Sequence, residues 1–554
     1  MRRLSKFGII ITAGLLATAC SAGAGSSGGG SAATKGTVTI SNENGALWTC
    51  GFNPYIGSDT LLSEGFVYEP LVFVNPLQNG KTTPMLATAW SWGAGNKSLT
   101  FTIRHGVKFS DGTPLTPADV VFTFNLLKKY SALDLPGDWG ALSSVSQAGS
   151  DQVTMNFKTA AVPYFYYIAD QTPILPEHIW SKISNPATFS DPHPVGTGPY
   201  VVNPCTNANI TYTANKHYWQ PGLPHIAKVE YPAFTSNNTA NDQLANGQAQ
   251  WGSQYIPAIQ SFYTSKSPSF HYWFPPTVNV SLVPNLTNPL LANVKVRQAM
   301  SYAIDRGKVS SIGESGYEPP ANQAGIVTPT FSSWLDTSLA SQHSYSYNPA
   351  KAKQLLASAG FRLGSDGIMA NAQGQKLSFS VINIGDYSDW VASMQVIQQN
   401  LKAVGIQLSP DNLTNTAFTA ALYAGKYQLA YYDQQSFGPG PYYELRNWLD
   451  SANTAPIGQT ATSNYERYSS PATDGLLHSY AATTSTTQQH AIVNQLQQVM
   501  VTELPIIPVV EAVDWFQWDD AHLTGWPTAT NPYAQPSAYA YPDMEQVLLH
   551  LQAK

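Results

Sequence analysis

The sequence predicts a mixed α/β fold that is divided into two or more lobes. The chain has 554 residues, which is more than one ordinary hydrophobic core holds. Short runs that alternate apolar and polar residues are typical of strands, and longer runs with apolar residues at helical spacing fill the middle of the chain. Because the two kinds of run are interspersed, the pattern favours α/β or α+β lobes over a β-sandwich or a helical bundle.

The N-terminal segment predicts export and attachment to a membrane. Arg2, Arg3 and Lys6 precede an apolar run that is too short to span a bilayer comfortably, which predicts a secretory signal peptide over residues 1–19. The stretch "LATAC" resembles a bacterial lipobox, which implies cleavage before Cys20 and attachment of diacylglycerol to its sulfur. Residues 20–36 would then be the lipidated cysteine and a flexible tether. A plain signal peptide with a chance cysteine is the alternative.

These features predict a position on the extracytoplasmic face of the bacterial cell membrane. The lipid on Cys20 would be the only membrane attachment, because no other uninterrupted apolar stretch approaches the ~18 residues that a spanning helix needs. The rest of the chain is therefore expected to be soluble.

The composition argues against a nucleic-acid partner and suits a wet binding cleft. Charged residues make up 11% of the chain, and the formal net charge is -6. Such a chain does not offer the basic surface that nucleic acids require. The 14 Trp and 30 Tyr combine apolar faces with polar tips. Core packing of these rings is the alternative.

The cysteines and histidines give no metal-binding pattern. Cys50 and Cys205 are disulfide partners if the compartment is oxidising, and two free, buried thiols are the alternative. The 11 His are scattered without a close pair, and the cysteine spacing fits no metal site. We therefore expect neither a metal nor another cofactor.

The N-terminal half predicts strands followed by a capped helix. One strand is expected from residue 37, and an alternation at positions 99–103 stops at Gly106 and resumes at positions 107–109, as in a hairpin or meander. The sequence "TPAD" at positions 116–119 offers an N-cap threonine, a proline at the first helical position and an acidic third position. It predicts a helix that runs to about Lys129.

The middle of the chain predicts three helices and a strand. Apolar residues recur at helical spacing over positions 296–304, 352–359 and 394–404. Asn348 and Pro349 begin the second helix, while Gly360 and Gly405 end the second and third. The alternating run at positions 377–382 predicts a short strand. No fixed-period repeat is present.

A series of motifs follows in order along the chain. They are "PMLATAWSW" (84–92), "LTFTIRHGVKFSDGTPLTPADVVFTFNLL" (99–127), "ILPEHIW" (174–180), "GTGPY" (196–200), "NKHYW" (215–219), "VKVRQAMSYAIDR" (294–306) and "NPAKAKQLLASAGF" (348–361). The set resembles family 5 extracellular solute-binding proteins, the peptide/nickel-type receptors of ABC importers. Ser110 departs from the pattern, since the family often has histidine there.

The resemblance implies a type II periplasmic-binding-protein fold (cluster C), with two lobes, an extra inserted domain and a hinge. Domain I would combine residues 37–80, 186–272 and 508–554. Domain II would comprise residues 81–185, and domain III residues 273–507. Hinge closure would enclose a solute between domains I and III. A receptor of this kind would act as a monomer and deliver its solute to an ABC permease.

The region around Asp433 bears on the identity of the solute. Peptide receptors of the family commonly hold the ligand's ammonium group with a domain III aspartate, but "YYDQQSFGPGPYYELRNW" (431–448) has a Gly/Pro segment in its place. Asp433 lies nearby without being clearly equivalent. A buried ammonium without a counter-charge would be costly, so this departure disfavours free peptides.

Several segments look more like the branch of the family that binds cellobiose and related β-linked oligosaccharides. They are "GQAQWGSQYIP" (247–257), "FHYWFPP" (270–276), "SNYERYSSPATDGLL" (463–477) and "TGWPTATNPYAQP" (524–536). The expected solute is therefore a β-linked oligosaccharide, and an oligopeptide or dipeptide is the alternative.

Sugar recognition would use flat aromatic rings and neutral hydrogen-bonding side chains. The candidate contacts are Asn53, Tyr55, Trp251, Gln254, Tyr255, Trp273, Trp390, Tyr432, Asp433, Trp515 and Trp518. Each of these side chains could instead serve packing.

Two rival functions are disfavoured. No H-E-x-x-H zinc motif appears, and we expect no enzyme activity. A pair of glycosidase carboxylates stays open, because their separation is not readable from sequence. A nickel receptor is disfavoured by the scattered histidines.

Overall fold

The computed structural model describes residues 36–42, 46–57, 59–135, 137–434 and 438–554. The predicted signal peptide, the lipidation site Cys20 and the tether up to residue 35 lie outside the described residues. Within the described ranges, no helix is long and apolar enough to cross a membrane.

A seven-stranded sheet organises the first lobe. Its strands, in spatial order, are Phe270–Tyr272, Gln517–Asp519, Trp251–Gly252, Thr37–Ser41, Lys228–Pro232, Asn209–Ala214 and Tyr200–Cys205. The strand predicted from residue 37 is central and pairs in parallel with a neighbour on each side. Its apolar residues Val38 and Ile40 are fully buried.

A four-stranded antiparallel sheet forms the inserted part. Its strands, in spatial order, are Ala87–Trp92, Ser98–Ile103, Gln152–Phe157 and Leu142–Gln147. The predicted helix is confirmed as Pro117–Lys129, and the Thr116 backbone nitrogen donates to Asp119 Oδ2 at 2.8 Å, as in a capping box. The predicted pairing at positions 107–109 is present as a minimal hairpin with one bridge, Lys108–Pro114, in which the buried Phe109 donates from its nitrogen to the Thr113 carbonyl at 2.8 Å.

A five-stranded sheet organises the second lobe. Its strands, in spatial order, are Gln407–Leu413, Ser378–Ile384, Leu429–Asp433, Pro276–Pro284 and Ile507–Val513. The three predicted helices are confirmed as Val294–Ala303, Pro349–Ser358 and Ser388–Lys402. The predicted mixed α/β fold is thus confirmed.

Shorter elements connect the sheets and cover their faces. Strand pairs form between Val72–Asn75 and Lys81–Pro84, Arg362–Leu363 and Met369–Ala370, and Leu523–Thr524 and Gln552–Ala553. The remaining α-helices are Thr60–Ser63, Asp138–Ala141, Tyr164–Ala169, Glu177–Trp180, Asn237–Ala245, Ile259–Phe262, Pro289–Ala292, Arg306–Lys308, Thr337–Gln342, Asn415–Tyr423, Pro441–Leu449, Pro471–Ala481, Thr486–Glu503 and Asp543–His550. A π-helical turn spans Val309–Gly313.

Two neighbouring chain segments, residues 273–275 and 514–516, join the two large sheets. The Trp273 backbone nitrogen donates to the Phe516 carbonyl at 3.0 Å, and the Asp514 nitrogen donates to the Pro275 carbonyl at 2.9 Å. We call these two segments the crossovers. Their side-by-side position between two sheets is the arrangement expected of a hinge.

The crossovers also bear on the predicted domain boundaries. The predicted boundary between residues 272 and 273 coincides with the first crossover. The predicted boundary before residue 508 falls inside the strand Ile507–Val513, which pairs with Pro276–Pro284 in the second-lobe sheet. The division of the chain into domains stays a prediction.

Two features tie distant segments of the first lobe together. Cys50 and Cys205 are joined by a disulfide, with their Cα atoms 5.9 Å apart. In the "GTGPY" motif, the Gly198 nitrogen donates to the Val67 carbonyl at 2.8 Å, and a Cβ atom at Gly198 would lie 2.6 Å from the Phe66 carbonyl oxygen. The glycine is therefore required for close backbone packing.

Candidate functional site

The carboxyl ends of the second-lobe strands meet at the edge of the sheet that faces the crossovers. Ser378–Ile384 and Leu429–Asp433 run parallel, so both end at this edge. The helix Ser388–Lys402 begins near it, and Pro276–Pro284 enters the sheet from the same side. In open α/β sheets, ligands bind in the crevice outside the carboxyl ends of the strands. The cleft between this edge and the first lobe is therefore the candidate site.

Acidic side chains concentrate at this cleft. Burial raises the pKa of Glu314 to about 8, with a smaller contribution from the charge of Asp389. Burial also raises the pKa of Asp433 and of Asp514 to about 7. The pKa of Glu318 lies well above its usual range, first because of burial and then because of Glu314 and other nearby acids.

No positive charge compensates these acids among the described residues. None of the ion pairs found there involves Glu314, Glu318, Asp389, Asp433 or Asp514. The described residues also contain no group of three or more His, Cys, Asp or Glu side chains that could hold a metal ion. Burial of uncompensated acids is costly, so protons or a ligand must neutralise them.

Several buried polar atoms at the cleft have no hydrogen-bond partner within the described part of the chain. They are Glu314 Oε2, Glu318 Oε2, Asp433 Oδ1, Gln434 Nε2 and Asp514 Oδ2. Buried polar groups in folded proteins are almost always paired, so such a concentration calls for a bound polar partner. The carboxyl oxygens in this set can accept hydrogen bonds, and the amide nitrogen of Gln434 can donate one.

Aromatic side chains bridge the lobes beside the crossovers. The Tyr255 and Ser315 hydroxyl oxygens lie 2.7 Å apart, and the Ile259 nitrogen donates to the Tyr317 hydroxyl at 2.9 Å. The Trp515 ring contacts the ring of Tyr255 at a centroid distance of 5.3 Å and that of Phe274 at 4.9 Å. These contacts hold the two lobes in the arrangement that the structure shows.

Four of the sequence-predicted contacts serve packing of the first lobe. Asn53 Nδ2 donates to the Pro186 and Phe189 carbonyls, and the Tyr55 hydroxyl donates to the Pro173 carbonyl. Trp251 is fully buried, with its Nε1 bonded to the Pro536 carbonyl at 2.8 Å. Gln254 is buried and bonds to Ser41 and Gln517. These hydrogen bonds favour structural roles for the four residues, and their contact with a solute stays a prediction.

The other predicted contacts lie in the first lobe, the crossovers and the second lobe. Trp273 and Trp515 lie in the crossovers, and Tyr255 faces Trp515. Trp518 stacks on Phe516 at 4.7 Å in the first-lobe sheet, and Trp390 is buried against Tyr431.

Asp433 lies at the cleft edge, and the Tyr432 ring packs near Phe418 at 5.7 Å. The structure therefore brings Tyr255, Asp433 and Trp515 to the cleft, and their contact with solute stays a prediction.

Sequence reasoning missed most of the acidic residues. Glu314 and Glu318 follow the π-helical turn, and Asp514 lies in a crossover. None of them belongs to a recognisable motif. The available signal was the acidic pair in "IGESGYEPP" (312–320), four positions apart within an otherwise sparsely charged sequence.

Comparison with known proteins connects this geometry to a family. The family model for bacterial extracellular solute-binding proteins, family 5, matches residues 81–456. The glutathione-binding protein GsiB of Salmonella choleraesuis (strain SC-B67) is 27% identical over 371 residues, which cover 64% of this chain and 66% of the relative. The alignment thus spans slightly less than two thirds of that relative's length.

Solved structures show the same fold over the whole lobed region. One neighbour is the periplasmic oligopeptide-binding protein of an oligopeptide ABC transporter from Thermotoga maritima, which is 25% identical to this chain. The two structures superpose with a TM-score of 0.85, and the match covers 94% of this chain and 99% of the neighbour. A second structure of the same Thermotoga maritima protein, bound to mannohexaose, is also 25% identical. Its TM-score is 0.80, and the match covers 94% of this chain and 98% of that one.

The predicted type II periplasmic-binding-protein fold is confirmed by these neighbours. The family match covers more than half of the chain and includes the inserted sheet and much of the second lobe. This chain belongs to the bacterial extracellular solute-binding proteins of family 5.

Proposed function

We propose that this protein is the receptor of an ABC importer, which captures an oligosaccharide between its two lobes and delivers it to a membrane permease. Cys20 would carry the lipid that holds the receptor, as a monomer, at the outer face of the membrane. No catalytic step is included in the proposal. Solute binding at the cleft would favour the closed arrangement of the lobes.

The observation that carries the proposal is the set of unpartnered buried polar atoms at the second-lobe edge of the cleft and in the adjoining crossover. A sugar hydroxyl both donates and accepts hydrogen bonds, so it can pair with a carboxyl group in either protonation state and with the amide of Gln434. The nearby rings of Tyr255 and Trp515 can cover the apolar faces of sugar units.

Two further points support the sugar over other solutes. The mannohexaose-bound neighbour shows that a protein with this fold can hold an oligosaccharide. The resemblance of four segments to the cellobiose-binding branch favours β-linked sugars.

A peptide is the second candidate, and the uncompensated acids favour it. The ammonium group of a peptide would neutralise Asp433 or Asp514, and charge-assisted hydrogen bonds to carboxylates are strong. The relative GsiB is a glutathione-binding protein. The two candidates differ in charge, so a binding assay separates them.

A thermal-shift screen of the purified protein tests the proposal. We expect cello- or manno-oligosaccharides to raise the melting temperature, because a solute that binds the folded state stabilises it. Dipeptides to pentapeptides and glutathione form the comparison arm. If peptides stabilise the protein and no sugar does, the oligosaccharide is not the solute, but the role as a solute receptor still holds.

A further inference from the structure

We propose that a cavity between the inserted sheet and the second lobe is a separate subsite for one sugar ring at the far end of the bound oligosaccharide. This inference rests on the proposed function and extends it to a part of the molecule away from the acidic cleft. The cavity has a volume of about 220 Å³. Sites that enclose a whole drug-sized ligand measure ~300–1,000 Å³, so this one suits a single ring of a longer solute.

The walls of the cavity are aromatic and come from two domains. Trp90 and Trp92 are two positions apart on the strand Ala87–Trp92, so both side chains project from the same face. Phe165 lies on the short helix Tyr164–Ala169, with its ring 5.5 Å from that of Trp90. Tyr443 and Tyr480 complete the lining from the second lobe. Flat rings of this kind cover the C–H faces of sugars.

The chemistry of the cavity differs from that of the cleft. None of its lining residues carries a charge, whereas the cleft concentrates carboxyl groups. Gln489 adds an amide to the lining, with its Nε2 donating to the Thr483 carbonyl at 3.0 Å and its Oε1 an acceptor by chemistry. Thr82 adds a hydroxyl to the lining. A neutral site with apolar faces and a few hydrogen-bonding groups fits a sugar ring better than a charged peptide terminus.

The cavity is held open by bonds between the domains that form it. The Tyr443 hydroxyl donates to the Pro163 carbonyl at 3.0 Å, and the Val162 nitrogen donates to the Ala481 carbonyl at 3.0 Å. These bonds fix the relative position of the two walls. A preformed site loses less free energy in ordering its side chains when a ligand binds.

The cavity and the cleft are close to each other along the chain. Pro439 lines the cavity and is six positions after Asp433, which lies at the cleft. Six residues span at most ~20 Å, so the two sites lie within reach of one oligomeric solute. A disaccharide seated at the cleft would leave the cavity empty, and a longer chain would fill both.

Calorimetric titration with cello- and manno-oligosaccharides of increasing length, from the disaccharide to the hexasaccharide, tests the subsite. We expect affinity to rise at the length that reaches the cavity. Trp90→Leu should then weaken binding of the long oligosaccharides by roughly tenfold and leave disaccharide binding unchanged, because only the long ligands use the ring. Gln489→Ala should show the same dependence on length with a smaller loss.

The disaccharide is an internal control for folding, and Tyr130→Leu is a matched variant of a half-buried ring in the same domain outside the cavity. Tyr130→Leu should bind every length as the unmodified protein does. Equal losses at all lengths, or no loss with Trp90→Leu and Gln489→Ala, would overturn the subsite and leave the proposed receptor intact. Failure of the unmodified protein to bind any of these sugars would reject the oligosaccharide itself.

Discussion

Replacing Cys50 and Cys205 with serine should lower the free energy of unfolding by about 2–5 kcal/mol. The disulfide joins residues 155 positions apart in the sequence, and both lie in the first lobe. A cross-link over so long a loop removes much of the conformational entropy of the unfolded chain. Urea denaturation followed by tryptophan fluorescence would report the loss as a lower transition midpoint.

The unmodified protein treated with a reductant provides the matched comparison. Its midpoint should fall to that of the double-serine variant, which reductant should leave unchanged. Equal midpoints for the variant and the untreated protein would contradict a bonded pair and favour two free, buried thiols.

Raising the pH from about 5 to about 8 should destabilise the solute-free protein, and Glu314→Gln should remove part of that loss. The pKa of Glu314 is raised to about 8 in the folded state, above the ~4.3 of an unfolded glutamate. Between these two values the folded state holds a proton that the unfolded state has lost. Stability therefore falls by up to ~1.4 kcal/mol per pH unit for this group.

The sign of the effect follows from which state binds more protons. The loss of stability caused by Glu314 is absent below the pKa of this group in the unfolded state. It is complete above the pKa in the folded state, which is about 8. Glutamine cannot ionise, and its oxygen can still accept from the Ser393 hydroxyl, which bonds to Glu314 Oε1 at 2.5 Å. The variant should thus be more stable than the unmodified protein at high pH, by about 2–4 kcal/mol, and should lose this advantage at low pH.

Denaturation midpoints across this pH range measure the difference. Asp411→Asn, at an exposed position of the same domain, is the control and should keep the pH slope of the unmodified protein. A Glu314→Gln slope equal to that of the unmodified protein would contradict the buried, uncompensated state of this carboxyl group.

Elements specified by local chemistry could be predicted from the sequence. The helix Pro117–Lys129 begins at a capping box, and the helix Pro349–Ser358 begins at Asn348, whose side chain accepts from the Lys351 nitrogen at 2.9 Å. Residues a few positions apart determine such starts. The strand Ser98–Ile103 was equally predictable, because its buried and half-buried residues alternate.

The alternation at residues 107–109 overstates the length of the pairing. Val107 and Phe109 are buried like strand residues, but the hairpin that contains them has a single bridge. Alternation records which side chains are buried, and a turn at the edge of a core can produce the same pattern.

The candidate site was less predictable, since it is assembled from distant segments. Glu318 and Asp433 are far apart in the sequence and come close only in the folded second lobe. The candidate contacts were chosen by residue type. Asn53 and Tyr55 are hydrogen-bonded within the first lobe, because such side chains serve cores as well as binding sites. The predicted boundary before residue 508 falls inside a strand, because the pairing of distant strands is not readable from local sequence.

The central claim is that the solute binds at the acidic edge of the cleft between the lobes. Calorimetric titration with the most stabilising oligosaccharide, using Asp433→Asn and Asp514→Asn, tests it most directly. Each substitution keeps the shape of the side chain and removes a carboxyl oxygen that has no partner in the described residues. We expect each substitution to weaken oligosaccharide binding by at least about tenfold. The control is Asp366→Asn, which changes an exposed carboxyl group paired with Lys376 and should bind the oligosaccharide as the unmodified protein does. Unchanged affinity in both cleft variants would contradict the account.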